Sequence, residues 1–194
     1  LQNYSQKCQA ALSFTRQSTF TIDNIDQANQ LLAEAQQARK QAASNTVGNK
    51  AMKNPANAEV AAVSRQTEDA AGRCEVEVST LIRNMLKQRQ IAEETLDGAI
   101  STLQQADKKC AEGKQLIGNA GSEGRTDAQN ISKQVRYLIE QASTPTLSAL
   151  AKRHPGWPQS KTWQQLSVTT NQCQQALQLA LAKPDHASAS ADAP

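Results

Sequence analysis

The chain has 194 residues and a formal net charge of +3, from 21 Lys and Arg against 18 Asp and Glu. Charges of both signs alternate closely along the sequence, which argues against the single basic face that nucleic-acid binding requires. No stretch approaches the roughly 18 apolar residues of a membrane span.

The composition predicts a slender all-α protein. Aromatic residues make up only 3% of the chain, so few side chains are bulky enough to fill a thick core. The chain contains 31 Ala and 25 Gln, both good helix formers. Alternating β-branched runs, which would indicate strands, are absent. We expect an elongated three- to four-helix bundle with one long central helix.

The N-terminal region is predicted to be helical up to about Ser44. Phe20 to Asp26 either interrupts it, with Thr21 or Asp23 as an N-cap, or continues as one helix, and continuity is our expectation. Ser44 to Asn57 then forms a loop, because it carries four Asn, a Gly and a Pro without apolar periodicity. The helical spacing before the loop is carried by Leu1, Tyr4, Cys8, Ala11, Leu12, Thr15, Ile22, Ile25, Leu32 and Ala35.

The longest predicted element starts near Pro55 and continues to about Ile117. About sixty residues at ~1.5 Å each would span about 90 Å, which predicts a rod. Gly72 and Gly98 weaken this helix without ending it. Its apolar stripe is expected at Val60, Val63, Thr67, Ala70 and Cys74, and then at Val78, Ile82, Met85, Ala92, Leu96, Ala99, Leu103, Ala106 and Cys110.

Several turns divide the remainder of the chain. Gly118 to Arg125 is a glycine-rich turn, and Thr126 with Gln129 is expected to form a capping box that opens the next helix. Thr144 and Pro145 restart or kink that helix. Arg153 to Gln159 forms a second turn, and Ser160 is expected to cap the last helix, which ends before Pro184. We therefore predict a helical bundle over residues 1–184 and a disordered C-terminal tail over residues 185–194.

All four cysteines fall on apolar stripes. They are either buried thiols of an intracellular bundle or two disulfides formed in an oxidising compartment, and disulfides are our expectation. On one continuous helix Cys74 and Cys110 would lie about 54 Å apart, whereas a disulfide needs Cα atoms within ~7 Å. Folding the chain back at its two turns brings Cys173 near Cys110. This predicts the pairs Cys110–Cys173 and Cys8–Cys74.

No catalytic site, metal site or cofactor is expected, because no motif for one occurs. Partner binding is assigned first to the long loop, through Asn49, Lys50, Lys53 and Asn54. Trp157, in the turn HPGWP, is the second candidate contact, since Trp is enriched in binding hot spots. The alternative is that Trp157 folds back over Trp163 and the end of the bundle.

Two stretches, AEVAAVSRQTEDAAGRC (58–74) and the tail ASASADAP (187–194), give the chain a resemblance to trypanosome alanine-rich helical surface proteins. That group includes insect-stage surface antigens, the haptoglobin–haemoglobin receptor and variant surface glycoproteins. The resemblance implies a non-enzymatic, extracellular coat or receptor, anchored to the membrane at its C-terminus. It implies a protein or glycan ligand of the host or vector, with self-association also open. A bacterial periplasmic sensing domain, a secretion-pilus component and an intracellular coiled-coil scaffold remain alternatives.

Two glycosylation sequons are present, at Asn3-Tyr4-Ser5 and Asn130-Ile131-Ser132. Two is about the number that chance gives in a chain of this composition, so their number does not discriminate among these functions.

Overall fold

The structure, a computed structural model, describes residues 1–17, 19–44, 53–119 and 122–183. In these ranges the regular structure is entirely helical, as the composition predicts. Two short 3₁₀ turns, Ile22–Asn24 and Pro55–Asn57, precede the second and third helices. The described ranges contain six α-helices, which are α1 (Gln2–Thr15), α2 (Ile25–Ala43), α3 (Ala58–Asn119), α4 (Ser122–Ala142), α5 (Pro145–Arg153) and α6 (Pro158–Ala182).

The chain divides into two compact units, Leu1–Ile91 and Ala92–Pro194. Helix α3 contributes its first part to one unit and its last part to the other. The sequence alone treats residues 1–184 as one bundle and does not indicate this division. The predicted disordered tail, residues 185–194, lies outside the described residues.

In the first unit, α1 and α2 form a hairpin that packs on α3. The core is thin, because many of its buried side chains are alanine or cysteine. Small side chains let helix backbones approach closely, but each buries little apolar area. The fully buried positions include Tyr4, Cys8, Ala11, Ile25, Ala28, Ala35 and Val78.

The predicted continuity between α1 and α2 is wrong. Helix α1 ends at Thr15, and the backbone N–H of Phe20 donates to the carbonyl of Gln17 in the turn that follows. The Phe20 ring meets the ring of Phe14 edge to face, with centroids 5.8 Å apart. Asn24 then accepts a 2.8 Å hydrogen bond from the N–H of Thr21 and donates one of 2.8 Å to the carbonyl of Thr19. Aromatic packing and this polar turn therefore override helical spacing.

Helix α3 confirms the predicted long central helix, with 62 residues. Its predicted stripe is right from Cys74 onward, where Cys74, Val78 and Ile82 are buried, whereas the predicted Ala70 is exposed and Ala71 is buried in its place. The earlier positions Val60 and Val63 are 64% and 62% exposed. The buried side chain in this stretch is Ala61 instead, so the buried face at the beginning of α3 is one residue out of phase with the predicted valines.

In the second unit, α4, α5 and α6 pack with the last part of α3 around Ala106, Val135, Ile139 and Leu177. The predicted restart at Thr144 is confirmed, since its side chain accepts a 3.3 Å hydrogen bond from the N–H of Leu147.

Two other predicted caps are wrong. Helix α4 begins at Ser122, so Thr126 and Gln129 lie inside it. Helix α6 has Trp157 as its N-cap and Pro158 in its first turn, so Ser160 is an internal, buried residue. Proline suits the first helical turn because its fixed φ matches a helix and its missing N–H is not needed there.

Each unit contains one of the two predicted disulfides. Cys8 pairs with Cys74 and Cys110 pairs with Cys173, and both pairs have a Cα–Cα distance of 6.2 Å. The first bond joins α1 to α3, and the second joins α3 to α6. Among the described residues, no helix is both long enough and apolar enough to span a bilayer.

Candidate functional site

The predicted contact loop is described only at its end. Lys53 and Asn54 are exposed, and the Asn54 side chain accepts a 3.1 Å hydrogen bond from the N–H of Ala56. This bond starts the 3₁₀ turn that leads into α3. Asn49 and Lys50 lie outside the described residues. The end of the loop therefore presents one ammonium group and one amide to solvent, a surface suited to polar contacts.

Trp157, the second predicted contact, is packed into the protein. Its side chain is only 7% exposed, and its ring lies parallel to that of His154, with centroids 4.2 Å apart and planes 12° apart. The backbone N–H of Trp157 donates a 3.1 Å hydrogen bond to the His154 carbonyl. The structure thus favours the alternative in which this indole packs at the end of the bundle. Its observed ring partner is His154, which sequence reasoning did not identify.

A second indole, that of Trp163, connects α6 to the end of α4. Its Nε1–H donates a 2.8 Å hydrogen bond to the carbonyl of Ala142, the last residue of α4. A helix end leaves carbonyl groups without partners inside the helix, and buried carbonyls need a donor. Both tryptophans therefore have structural roles that fix the junction of α4, α5 and α6.

Sequence reasoning missed a groove of about 680 Å³ in the first unit. The first turn of α1 forms one side and the first turns of α3 form the other. Its apolar surface includes the exposed side chains of Val60 and Val63. The residues that line it are Leu1, Gln2, Asn3, Glu59, Val60, Val63, Ser64 and Thr67.

The groove lies where the first turn of α1 runs beside the beginning of α3. The two helices run in the same direction, since Leu1 borders the groove with Thr67 while Arg16 bonds to Glu77 further along. Counting back seven residues from the Cys8–Cys74 bond also places Leu1 level with Thr67. The predicted disulfide therefore already indicates that the first turn of α1 lies beside Thr67 of α3.

A polar cluster lies beside the first disulfide. Tyr4 Oη donates a 2.7 Å hydrogen bond to Glu75 Oε2, Gln36 donates one of 3.1 Å to Oε1, and Arg39 lies 3.3 Å from Oε2. Burial, reinforced by the bond to Glu75, raises the pKa of Tyr4 to about 12. Through the Glu75 carboxylate the cluster connects α1, α2 and α3.

Among the residues that the structure describes, no group of three His, Cys, Asp or Glu side chains could hold a metal ion. Comparison with known proteins adds no candidate role, since no family model, curated protein or solved structure matches the chain. The features that remain are two disulfides, an exposed polar loop end and an apolar groove.

Proposed function

We propose that this is a non-enzymatic extracellular helical protein that acts as a coat or receptor and presents a binding or shielding surface. The observation that carries the proposal is the pairing of all four cysteines, one disulfide in the core of each unit. Disulfides persist in oxidising environments and are rare in the reducing cytosol. Their presence therefore favours an extracellular location over an intracellular coiled-coil scaffold.

The composition of the core supports a stabilising role for these disulfides. Helices that meet through alanine gain little hydrophobic stabilisation, and a disulfide typically adds about 2–4 kcal/mol. A surface protein held together in this way tolerates exposure to proteases and to changing solvent. The proposed attachment is a C-terminal lipid anchor, as the resemblance to trypanosome surface proteins implies. The elongated three- to four-helix shape stays a prediction, which small-angle X-ray scattering tests.

The location is tested by counting thiols in protein isolated from its native source. The sample is denatured without reductant, treated with an alkylating reagent and weighed by mass spectrometry. We expect no alkylated cysteine before reduction and four after it. Protein recovered with four free thiols would contradict the extracellular proposal and support the intracellular scaffold.

A bacterial periplasmic sensing domain or a secretion-pilus component would also contain disulfides, so thiol counting does not exclude it. The full-length gene separates these alternatives. A sensing domain predicts apolar membrane spans on both sides of the bundle. A lipid-anchored coat protein predicts one apolar signal at the C-terminus.

The proposed contact surface is the loop end with Lys53 and Asn54, extended by Asn49 and Lys50. Replacing residues 49–54 with Gly and Ser should abolish binding to cells or glycan arrays that capture the wild-type protein. Circular dichroism should show unchanged helix content. Lys161→Ser, which removes an exposed charge in the other unit, is the matched control and should bind normally. Equal binding by the loop variant and the wild type would rule out this surface.

A further inference from the structure

The sequon Asn3-Tyr4-Ser5 lies at the edge of the apolar groove. Asn3 is exposed, and its side chain lines the groove together with Val60 and Val63. Tyr4, the middle residue of the sequon, points inward and is buried. The asparagine amide is therefore accessible in the folded protein, next to two exposed valines that no described part of the chain covers.

From this arrangement we propose that Asn3 carries an N-linked glycan whose first sugars lie over Val60 and Val63. The inference rests on the proposed extracellular function, because the modification takes place in the secretory pathway. The bond forms between the side-chain nitrogen of Asn3 and C1 of the reducing-end N-acetylglucosamine of a lipid-diphosphate-linked oligosaccharide. The bond from C1 to the diphosphate oxygen breaks, the lipid diphosphate leaves, and the amide nitrogen loses one proton.

Folding leaves this sequon available while the chain is being made. The contacts that fix Tyr4 and Cys8 come from Glu75 and Cys74, 71 and 66 residues later in the chain. The acceptor can therefore reach an extended conformation before these partners are synthesised.

The second sequon provides an internal contrast. Asn130 is exposed but lies in the interior of α4, a 21-residue helix whose hydrogen bonds form locally. Ser132 is buried, and its hydroxyl accepts a 3.1 Å hydrogen bond from Gln174. Asn130 therefore belongs to a sequon whose serine is buried in the folded helix, and it does not line the groove with Val60 and Val63.

The groove suits the first sugars of a glycan. N-acetylglucosamine combines an apolar ring face and an acetyl methyl group with outward hydroxyls, so it can cover a valine while remaining hydrated. A covalently attached sugar is also held at high effective concentration beside the groove. Covering the two valines would hide an apolar surface that otherwise favours association.

The first test is expression of the full chain through the secretory pathway of a eukaryotic cell, followed by glycopeptide mass spectrometry. We expect carbohydrate at Asn3, released by peptide N-glycosidase with conversion of that residue to aspartate. Asn3→Gln and Ser5→Ala should each abolish it, whereas Asn130→Gln should leave it unchanged. An unmodified Asn3, or carbohydrate found at Asn130 alone, overturns the proposal.

The second test measures hydrogen exchange over residues 59–67 in the glycosylated protein and in the same protein after enzymatic release of the glycan. We expect faster exchange after release, with residues 122–142 unaffected as the internal control. Equal exchange over residues 59–67 overturns the placement of the sugars over the groove. If Asn3 is unmodified in protein with both disulfides formed, this inference is overturned and the proposed function stands. If native protein has free thiols, the proposed function is overturned.

Discussion

The phenol of Tyr4 donates a 2.7 Å hydrogen bond to the carboxylate of Glu75, the residue that follows the disulfide-bonded Cys74. Gln36 and Arg39 of α2 bind the same carboxylate. One acidic side chain on α3 thus connects α1 and α2 at the level of the covalent bond. Because the cluster lies beside a disulfide, polar and covalent constraints act at the same point of the first unit.

The raised pKa of Tyr4 predicts a loss of stability in alkaline solution. An unfolded tyrosine loses its proton near pH 10, whereas Tyr4 in the folded protein keeps it until about pH 12. Between these values the folded state binds more protons, so the free energy of unfolding falls as pH rises. We expect a loss of about 2–3 kcal/mol across this window. Urea unfolding between pH 9 and pH 12, with short incubations, measures it.

Tyr4→Phe is the control for this prediction, because it keeps the buried ring and removes the ionisable hydroxyl. Its stability should decline less steeply over the same pH range. The absorbance change at 295 nm that accompanies the wild-type titration near pH 12 should also disappear. Identical alkaline profiles for the two proteins would show that Tyr4 does not titrate as described.

The two disulfides should stabilise their units separately. Cys8→Ser with Cys74→Ser should lower the free energy of unfolding by about 2–4 kcal/mol, and Cys110→Ser with Cys173→Ser by a similar amount. The similarity follows from their sequence separations of 66 and 63 residues, because loop-closure entropy depends weakly on length.

Native-state hydrogen exchange locates these losses. Removing the first disulfide should accelerate exchange in α1 and α2, and removing the second should accelerate it in α6. Each double variant serves as the control for the other. Uniform acceleration throughout the chain in both variants would contradict the division of stability between the units.

The sequence predicts the helices and the cysteine pairs well because both depend on regular spacing. A long helix fixes the distance between Cys74 and Cys110, and that distance alone excludes one pairing. The sequence offers an interruption over Phe20 to Asp26 only as the alternative to continuity, because the break depends on the contact of Phe20 with Phe14, which helical spacing does not encode.

The groove was missed for a different reason. An apolar stripe shows which face of a helix can be buried, but not which of its residues a neighbouring helix covers. Val60 and Val63 have the spacing of core residues and are exposed, whereas the neighbouring Ala61 is buried. The role of Trp157 was similarly ambiguous, since a proline turn can either present an indole or pack it against a neighbour.

Trp163 provides a prediction about the junction of α4, α5 and α6. Trp163→Phe keeps most of the ring but leaves the Ala142 carbonyl without its indole donor. We expect a loss of about 1–3 kcal/mol in the free energy of unfolding, the cost of leaving a buried acceptor without its donor, measured by urea denaturation with circular dichroism. Trp157→Phe, which preserves an aromatic ring for His154 to stack on, should lose less. The reverse order would indicate that the stacked pair is the stronger constraint.

The glycines of α3 give a prediction whose sign depends on local packing. A Cβ at Gly98 or Gly72 would meet nothing within 4 Å. Glycine gives the unfolded chain more conformational freedom than alanine does, and it has a lower helix propensity. Gly98→Ala and Gly72→Ala should therefore each stabilise the protein by about 0.5–1 kcal/mol.

Gly113 differs because α4 and α6 pack against it. A Cβ there would lie 3.1 Å from both Ile131 Cγ2 and Leu177 Cδ2, closer than ordinary van der Waals contact. Leu177 is fully buried, so its side chain has little space into which to move. Overpacking of this kind costs about 1–3 kcal/mol, which offsets or exceeds the gain in helix propensity. Gly113→Ala should therefore be neutral to destabilising by about 2 kcal/mol in urea unfolding. Stabilisation equal to that of Gly98→Ala would show that α4 and α6 lie further from α3 at this point than the structure places them.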